Sequence, residues 1–202
     1  MADQLATATD LALLPGVDPD LPEDTKALLI ECATAVVQAV CGGQRIVQVV
    51  NDQVVIDLDG HDVGAYLRLP QRPVTAVATV LVGSSPVTDW SAQLSRGRLW
   101  RPSGWRSTLL GYPLSQPSGV TVTYTHGYPT GDQRLQLARS AVLSLAAGAA
   151  SGSLGVAREQ IDDYSVQYEA MAARMEASPF LMGRLRGQYG RPARSARLVA
   201  PQ

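Results

Sequence analysis

Valine and threonine alternate without a break between Gly119 and Thr125: Val120, Val122 and Tyr124 fall on one side, Thr121, Thr123 and Thr125 on the other. A period of two is that of a strand with one face buried. Thr125-His126-Gly127-Tyr128-Pro129 then reads as a turn, and Asp132 opens an alanine- and leucine-rich helix running to Ala150. In that helix Asp132, Gln136, Arg139, Ser140 and Ser144 make a limited polar stripe, and Leu135, Leu137, Ala138, Ala141, Val142, Leu145 and Ala146 cover the rest.

An earlier helix has the same character. Pro22 stands at its start, Glu23 and Asp24 occupy the first turn, where the helix dipole favours acids, and Gly42-Gly43 closes it. Its polar stripe is Asp24, Glu31, Thr34 and Gln38; Leu28, Leu29, Ile30, Ala33, Val36, Val37 and Val40 spread round most of the circumference, more apolar surface than one partner covers. Thr9 to Leu14 suggests a short helix ended by Pro15-Gly16, and residues 17 to 21 an acidic link.

Between the two long helices the period is strand-like. Ile46 to Val50, Gln53 to Leu58, Tyr66 to Leu69, Val74 to Val82 and Gly119 to Tyr124 are candidate strands, separated by turn signals at Asn51-Asp52, Asp59-Gly60 and Gly83-Ser84-Ser85. Farther on, Asp163-Tyr-Ser-Val-Gln-Tyr168 alternates again and predicts a short strand, with helical segments over Glu169 to Met175 and Pro179 to Gln188. The expected fold class is α+β: a helical bundle with an inserted small antiparallel β region. The expected divisions are an N-terminal helical segment (1–45), the β region (46–126), a helical region with the short strand (127–188) and a basic tail (189–202).

Composition is that of an ordinary globular chain of 202 residues, 46% hydrophobic and 17% charged, with a formal net charge of −1. The charge is polarised: residues 1 to 65 hold 11 acidic and 2 basic side chains, residues 66 to 202 hold 7 and 15. No acid follows Glu176, while Arg184, Arg186, Arg191, Arg194 and Arg197 do. Such polarity suits head-to-tail contact between copies or a charged partner at each end. Cys32 and Cys41 are nine residues apart on one helix and point to opposite sides, so no disulfide between them is expected. No basic, apolar leader and no membrane-spanning run are apparent, and a cytoplasmic site of synthesis is expected.

The search for chemistry is largely negative. His61 and His126 are the only histidines, and neither has the spacing of a zinc site. No nucleophile elbow and no phosphate loop are present, and the sole lysine is Lys26, on a helix. His126 reads as a turn-fixing residue at the strand exit, Asp59-Gly60 as a turn beside Asp57, and Asp162-Asp163 as part of a loop. No catalytic, cofactor-binding or metal-ligating set is therefore expected. Two readings stay open beside a structural one. Trp90, Trp100 and Trp105, interleaved with Arg98 and Arg101, suggest a stacking surface for nucleic acid, helped by the basic tail. A small enzyme assembled around Asp57 and His126 is the other.

The strand Val120-Thr-Val-Thr-Tyr-Thr-His-Gly-Tyr128, the Ala/Leu helix after it, Asp163-Tyr-Ser-Val-Gln-Tyr168, and the early apolar helix followed by Arg72-Pro73-Val74 together resemble the head-to-tail connector, or adaptor, proteins of long-tailed bacteriophages of actinobacterial hosts. The similarity spans roughly Leu21 to Gln188. It implies a non-enzymatic virion protein of the neck, assembled in the host cytoplasm. Such proteins form a ring, commonly of twelve copies, beneath the portal protein; the ring extends the DNA channel without sequence-specific binding and meets the next neck or tail-terminator protein. On this resemblance Leu29, Val36, Val40, Leu135, Val142 and Leu145 are expected in helix packing or the subunit interface. Arg184, Arg186, Arg191, Arg194 and Arg197 are expected to dock on the portal. Asp163, where a glycine-like turn residue is expected, and the long tail after Gly190 depart from the pattern.

Overall fold

The computed structural model describes residues 4–58, 64–105, 108–109, 112–113, 119–151 and 163–190. They form two compact units. One is built from Arg45–Gln136 and the other, discontinuous in sequence, from Leu5–Gln44 and the described residues from Leu137 onward.

The first unit is antiparallel β structure. Strands β1 (Val49–Asp57), β2 (Tyr66–Arg68), β3 (Val74–Val82), β4 (Ser85–Pro86), β5 (Ser91–Gln93), β6 (Arg98–Trp100), β7 (Thr108–Leu109), β8 (Tyr112–Pro113) and β9 (Gly119–His126) make sheets of order β1-β9-β3-β4, β2-β6-β5 and β7-β8. The β9 alternation determines its orientation. Val120, Val122 and Tyr124 are fully buried, and Thr121, Thr123 and Thr125 are only half-buried on the other face. The inner residues join Leu67 and Leu99 of the second sheet, with Leu69, Val74, Val80 and Trp105, in one apolar cluster.

Two expected strands around Asn51-Asp52 are one. Asn51 takes a left-handed conformation, φ 55°, and the β1–β9 register shifts between Val49 and Asp52, so the supposed turn is a bulge inside a continuous strand. Asparagine tolerates that region better than a β-branched residue does, which is why its local signal resembles a turn. β9 ends at Gly127, φ 85°, whose N–H donates to Pro73 O at 2.9 Å.

The second unit is helical: α1 (Ala8–Ala12), α2 (Glu23–Val40), α3 (Gln136–Ala150), α4 (Asp163–Glu176) and α5 (Pro179–Tyr189). α1 is opened by a capping box, with Asp10 N–H donating to Thr7 Oγ1 and Thr7 N–H to Asp10 Oδ2. Gly42 and Gly43 close α2 through N–H bonds to Ala39 O and Gln38 O, both 2.9 Å. The main partners of α2 are α4, α1 and α5, which accounts for its broad apolar surface. α3 is tied to α1 by Arg139–Asp10, 2.7 Å, and to α5 by the Tyr189 hydroxyl, which lies 3.4 Å from Ala138 N.

Two expectations are corrected here. Asp163 to Tyr168 is no strand but the first part of α4. Tyr164, Tyr168, Met171 and Met175 recur at i, i+4, i+7 and i+11, a helical stripe, and Met171 and Met175 are fully buried. Thr34, assigned to the polar stripe of α2, is buried, and its Oγ1 has no hydrogen-bond partner among the described residues. The α+β class itself holds: helices and antiparallel sheets are both present, in separate units.

Candidate interaction surfaces

The residues suggested for chemistry do not converge. Asp57 pairs with Gly119 at the start of β9, whereas His126 pairs with Val49 at its end. Seven residues of strand separate those positions, about 23 Å at roughly 3.3 Å per residue. His126 is fully buried, and Nε2 lies 2.9 Å from Asp52 Oδ2 across the β1–β9 pair. Its bond is to a neighbouring strand, not to the turn it was expected to fix. Arg45 stands 4.0 Å from the other Asp52 oxygen. The described residues hold no group of three His, Cys, Asp or Glu side chains able to bind a metal ion. His61, Asp59 and Asp162 lie outside the described residues, and Asp163 begins α4.

The tryptophan and arginine set serves the β unit itself. Trp105 is fully buried, with its indole N–H donating to Ala65 O at 3.2 Å. Trp90 is half-buried and donates to Val87 O at 2.9 Å. Arg98 lies over the Tyr66 ring, 4.0 Å from its centroid, and donates to Gln93. Arg101 donates to both oxygens of Asp89, at 2.8 and 3.0 Å, and Ser103 donates to the same carboxylate. The Arg101 guanidinium, with help from Ser103, holds the Asp89 carboxyl below its usual range. Trp100 alone of the three has substantial exposure.

Leu29, Val36, Leu135, Val142 and Leu145 are buried inside the chain, and Val40 is half-buried at the end of α2. Cys32 and Cys41 are buried free thiols. Burial pushes the Cys41 thiol up to about 11, and burial with the Glu31 charge raises that of Cys32. Arg184 and Arg186 are exposed on α5, where Arg186 Nε also donates to Val40 O at 3.3 Å. Arg191, Arg194 and Arg197 lie outside the described residues.

Sequence reasoning missed the placement of the exposed apolar residues. Leu13, just past α1, is 80% exposed and Phe180, in the first turn of α5, is 82% exposed. Asp18, Asp20, Glu23 and Asp24 are exposed on the segment that follows Leu13, while Lys26 is buried, its Nζ donating to Pro19 O at 3.0 Å. No local pattern signals either exposure: Leu13 lies just past the end of α1, and the outward face of α5 is set by the helices packed against it.

None of the described helices is long and apolar enough to cross a membrane. No family model and no curated protein matches the sequence. Among solved structures, a chain titled as the neck of the empty gene transfer agent (GTA) particle, with C6 symmetry, is 17% identical over 85% of this chain and 82% of that one, TM-score 0.48. A chain of the native GTA virion is 18% identical over 83% and 85%, TM-score 0.48. A chain from the neck of the native GTA particle, with C12 symmetry, is 17% identical over 98% of this chain and 99% of that one, TM-score 0.51, and it is with this neck chain that the protein shares its fold.

Proposed function

We propose that the protein is a structural component of a phage-type head–tail neck, in which copies form a ring, of twelve subunits, beneath the portal protein. The observation that carries the reading is a shared fold over nearly the whole of both chains with a protein titled as part of a neck of C12 symmetry. The sequence resemblance to actinobacterial-phage connectors points the same way. In this role the ring extends the DNA channel, joins head to tail and presents a surface to the next neck or tail-terminator protein. It contacts packaged DNA without reading its sequence, and it belongs to the virion after assembly in the host cytoplasm.

The basic segment after α5 is the proposed portal-docking element. Arg191, Arg194 and Arg197 carry that role better than Arg186, which is engaged by the end of α2. Many weak contacts repeated round a ring add up through high effective concentration. A nucleic-acid-binding reading loses its main support, because Trp105, Trp90, Arg98 and Arg101 are occupied within the β unit. No enzymatic role is proposed, since Asp57 and His126 stand at opposite ends of β9.

Electron microscopy of the protein mixed with the portal protein of the same phage tests the reading. A ring of density on the tail-facing side of the portal is expected. Portal particles that remain bare at saturating protein would sink it.

A further inference from the structure

The two most exposed large apolar side chains among the described residues belong to segments of opposite charge in the same helical unit. Phe180 and Arg184 lie on α5; Leu13 leads into Asp18, Asp20, Glu23 and Asp24, before and within the first turn of α2. Lys26, the only lysine, is turned inward to Pro19 O and stands 3.8 Å from Glu23, so Asp18, Asp20 and Asp24 leave the segment after Leu13 acidic. In sequence, three arginines and no acid follow α5.

At about 100° per residue, Phe180, Gly183, Arg184 and Gly187 occupy an arc of roughly 100° on α5, away from the buried Leu185 and Tyr189. The α5 face is therefore a protruding ring beside a flat strip and a cation. A Cβ added at Gly183 or Gly187 would meet nothing within 4 Å, so the packing of this chain does not require glycine there. Glycine in a helix interior weakens the helix. Its compensating use is to let another backbone come close.

One copy cannot bring these patches together. α5 is held against the C-terminal end of α2, with Arg186 Nε on Val40 O at 3.3 Å and Cys41 Sγ 3.8 Å from Leu185 O. The acidic residues stand at the other end of α2, about 27 Å away for 18 residues at roughly 1.5 Å each. A chain that carries both halves of a complementary contact at separate places has what a head-to-tail interface between identical subunits needs.

We propose that the Phe180–Arg184 face of α5 docks on the Leu13–Asp24 segment of a second copy of this chain. Phe180 seats beside Leu13, Gly183 and Gly187 let the neighbouring segment approach, and Arg184 faces Asp18, Asp20 and Asp24. Closure of this contact into a ring rests on the neck reading above; the contact between two copies does not.

Sedimentation velocity of the purified full-length chain, at low and high salt, tests it with two variants. Phe180→Ala with Arg184→Ala removes one half, and Leu13→Ala with Asp20→Arg removes the other; all four positions are exposed, and circular dichroism checks that both variants fold. The wild-type chain is expected to self-associate with rising concentration, more strongly at low salt. Each variant alone is expected to associate about 30-fold more weakly or worse, on the scale of losing an interface hot spot. An equimolar mixture restores one contact, between the intact α5 face of one variant and the intact acidic segment of the other, and stops at a dimer. Wild-type chain monomeric throughout, self-association undiminished in either variant, or a mixture that stays monomeric overturns the proposal. Portal binding is a separate readout: a chain that associates in this way yet leaves the portal bare keeps the contact and loses the neck reading. Portal-bound rings assembled equally well by both variants reverse that outcome.

Discussion

His126 Nε2 lies 2.9 Å from Asp52 Oδ2, joining the last residue of β9 to the residue just beyond the β1 bulge. The imidazole is fully buried, its centroid 5.1 Å from that of the Tyr124 ring at a 39° tilt, while the carboxylate is partly open to water. A buried ring with one polar partner serves packing as much as polarity. His126→Ala is expected to cost about 2–4 kcal/mol through the cavity and the lost bond. Asp52→Asn, which keeps an acceptor at the same reach, is expected to cost less than about 1 kcal/mol. Urea unfolding of the two variants checks the order; equal losses would show that the carboxylate charge, not the packing of the ring, sets the stability of this corner.

Gly127 follows that corner at φ 85°, where its N–H reaches Pro73 O and its α-carbon lies against the Val47 carbonyl. A Cβ there would collide with Val47 backbone, which cannot rotate away as a side chain can. Gly127→Ala is expected to cost more than about 3 kcal/mol, adding the clash to the left-handed penalty of roughly 1–2 kcal/mol. Gly42→Ala is the control: φ is 74° and nothing stands within 4 Å, so only the backbone penalty applies. Comparable midpoints in denaturant for the two variants would refute the collision.

Much of this was readable from spacing. The Val120, Val122 and Tyr124 face and the two broad apolar helices are where the alternation and the helical period put them. Tyr164 to Tyr168 was misread because five residues satisfy both periods, and only Met171 and Met175 carry the helical stripe far enough to decide. β5 and β6 went unseen because Ser91–Gln93 and Arg98–Trp100 are three residues each, too short to show a period, and are stabilised by the sheet they join. The apolar patches were illegible for another reason. That Phe180 points outward depends on which face α4 and α2 cover, a tertiary fact that no local pattern contains.

Two of the tryptophans, Trp105 and Trp100, are expected to respond differently to truncation. Trp105→Ala empties the centre of the β unit and is expected to cost about 3–5 kcal/mol. Trp100→Ala, at a partly exposed position, is expected to cost less than about 1 kcal/mol. Wild-type affinity for duplex DNA is expected to be weak and unchanged by Trp100→Ala. Strong, salt-sensitive binding abolished by that substitution would restore the nucleic-acid reading.

The buried thiols predict an alkaline limit. Cys41 rises from its usual value to about 11 because burial disfavours the thiolate, and Cys32 rises for the same reason with help from Glu31. In the unfolded chain both ionise at about 8.5. Below that pH both states hold their protons, and the thiols leave stability unchanged with pH. Above it the unfolded chain releases protons that the folded chain keeps, so the folded state loses ground, steadily up to about 11, where Cys41 itself ionises. Cys32→Ala with Cys41→Ala should flatten the decline between pH 8.5 and 10.5 in urea titrations, whatever the cavity costs at neutral pH. Thiol labelling at pH 8 adds a kinetic check: both cysteines should react only as fast as the helical unit opens, and prompt labelling of the native chain would refute their burial.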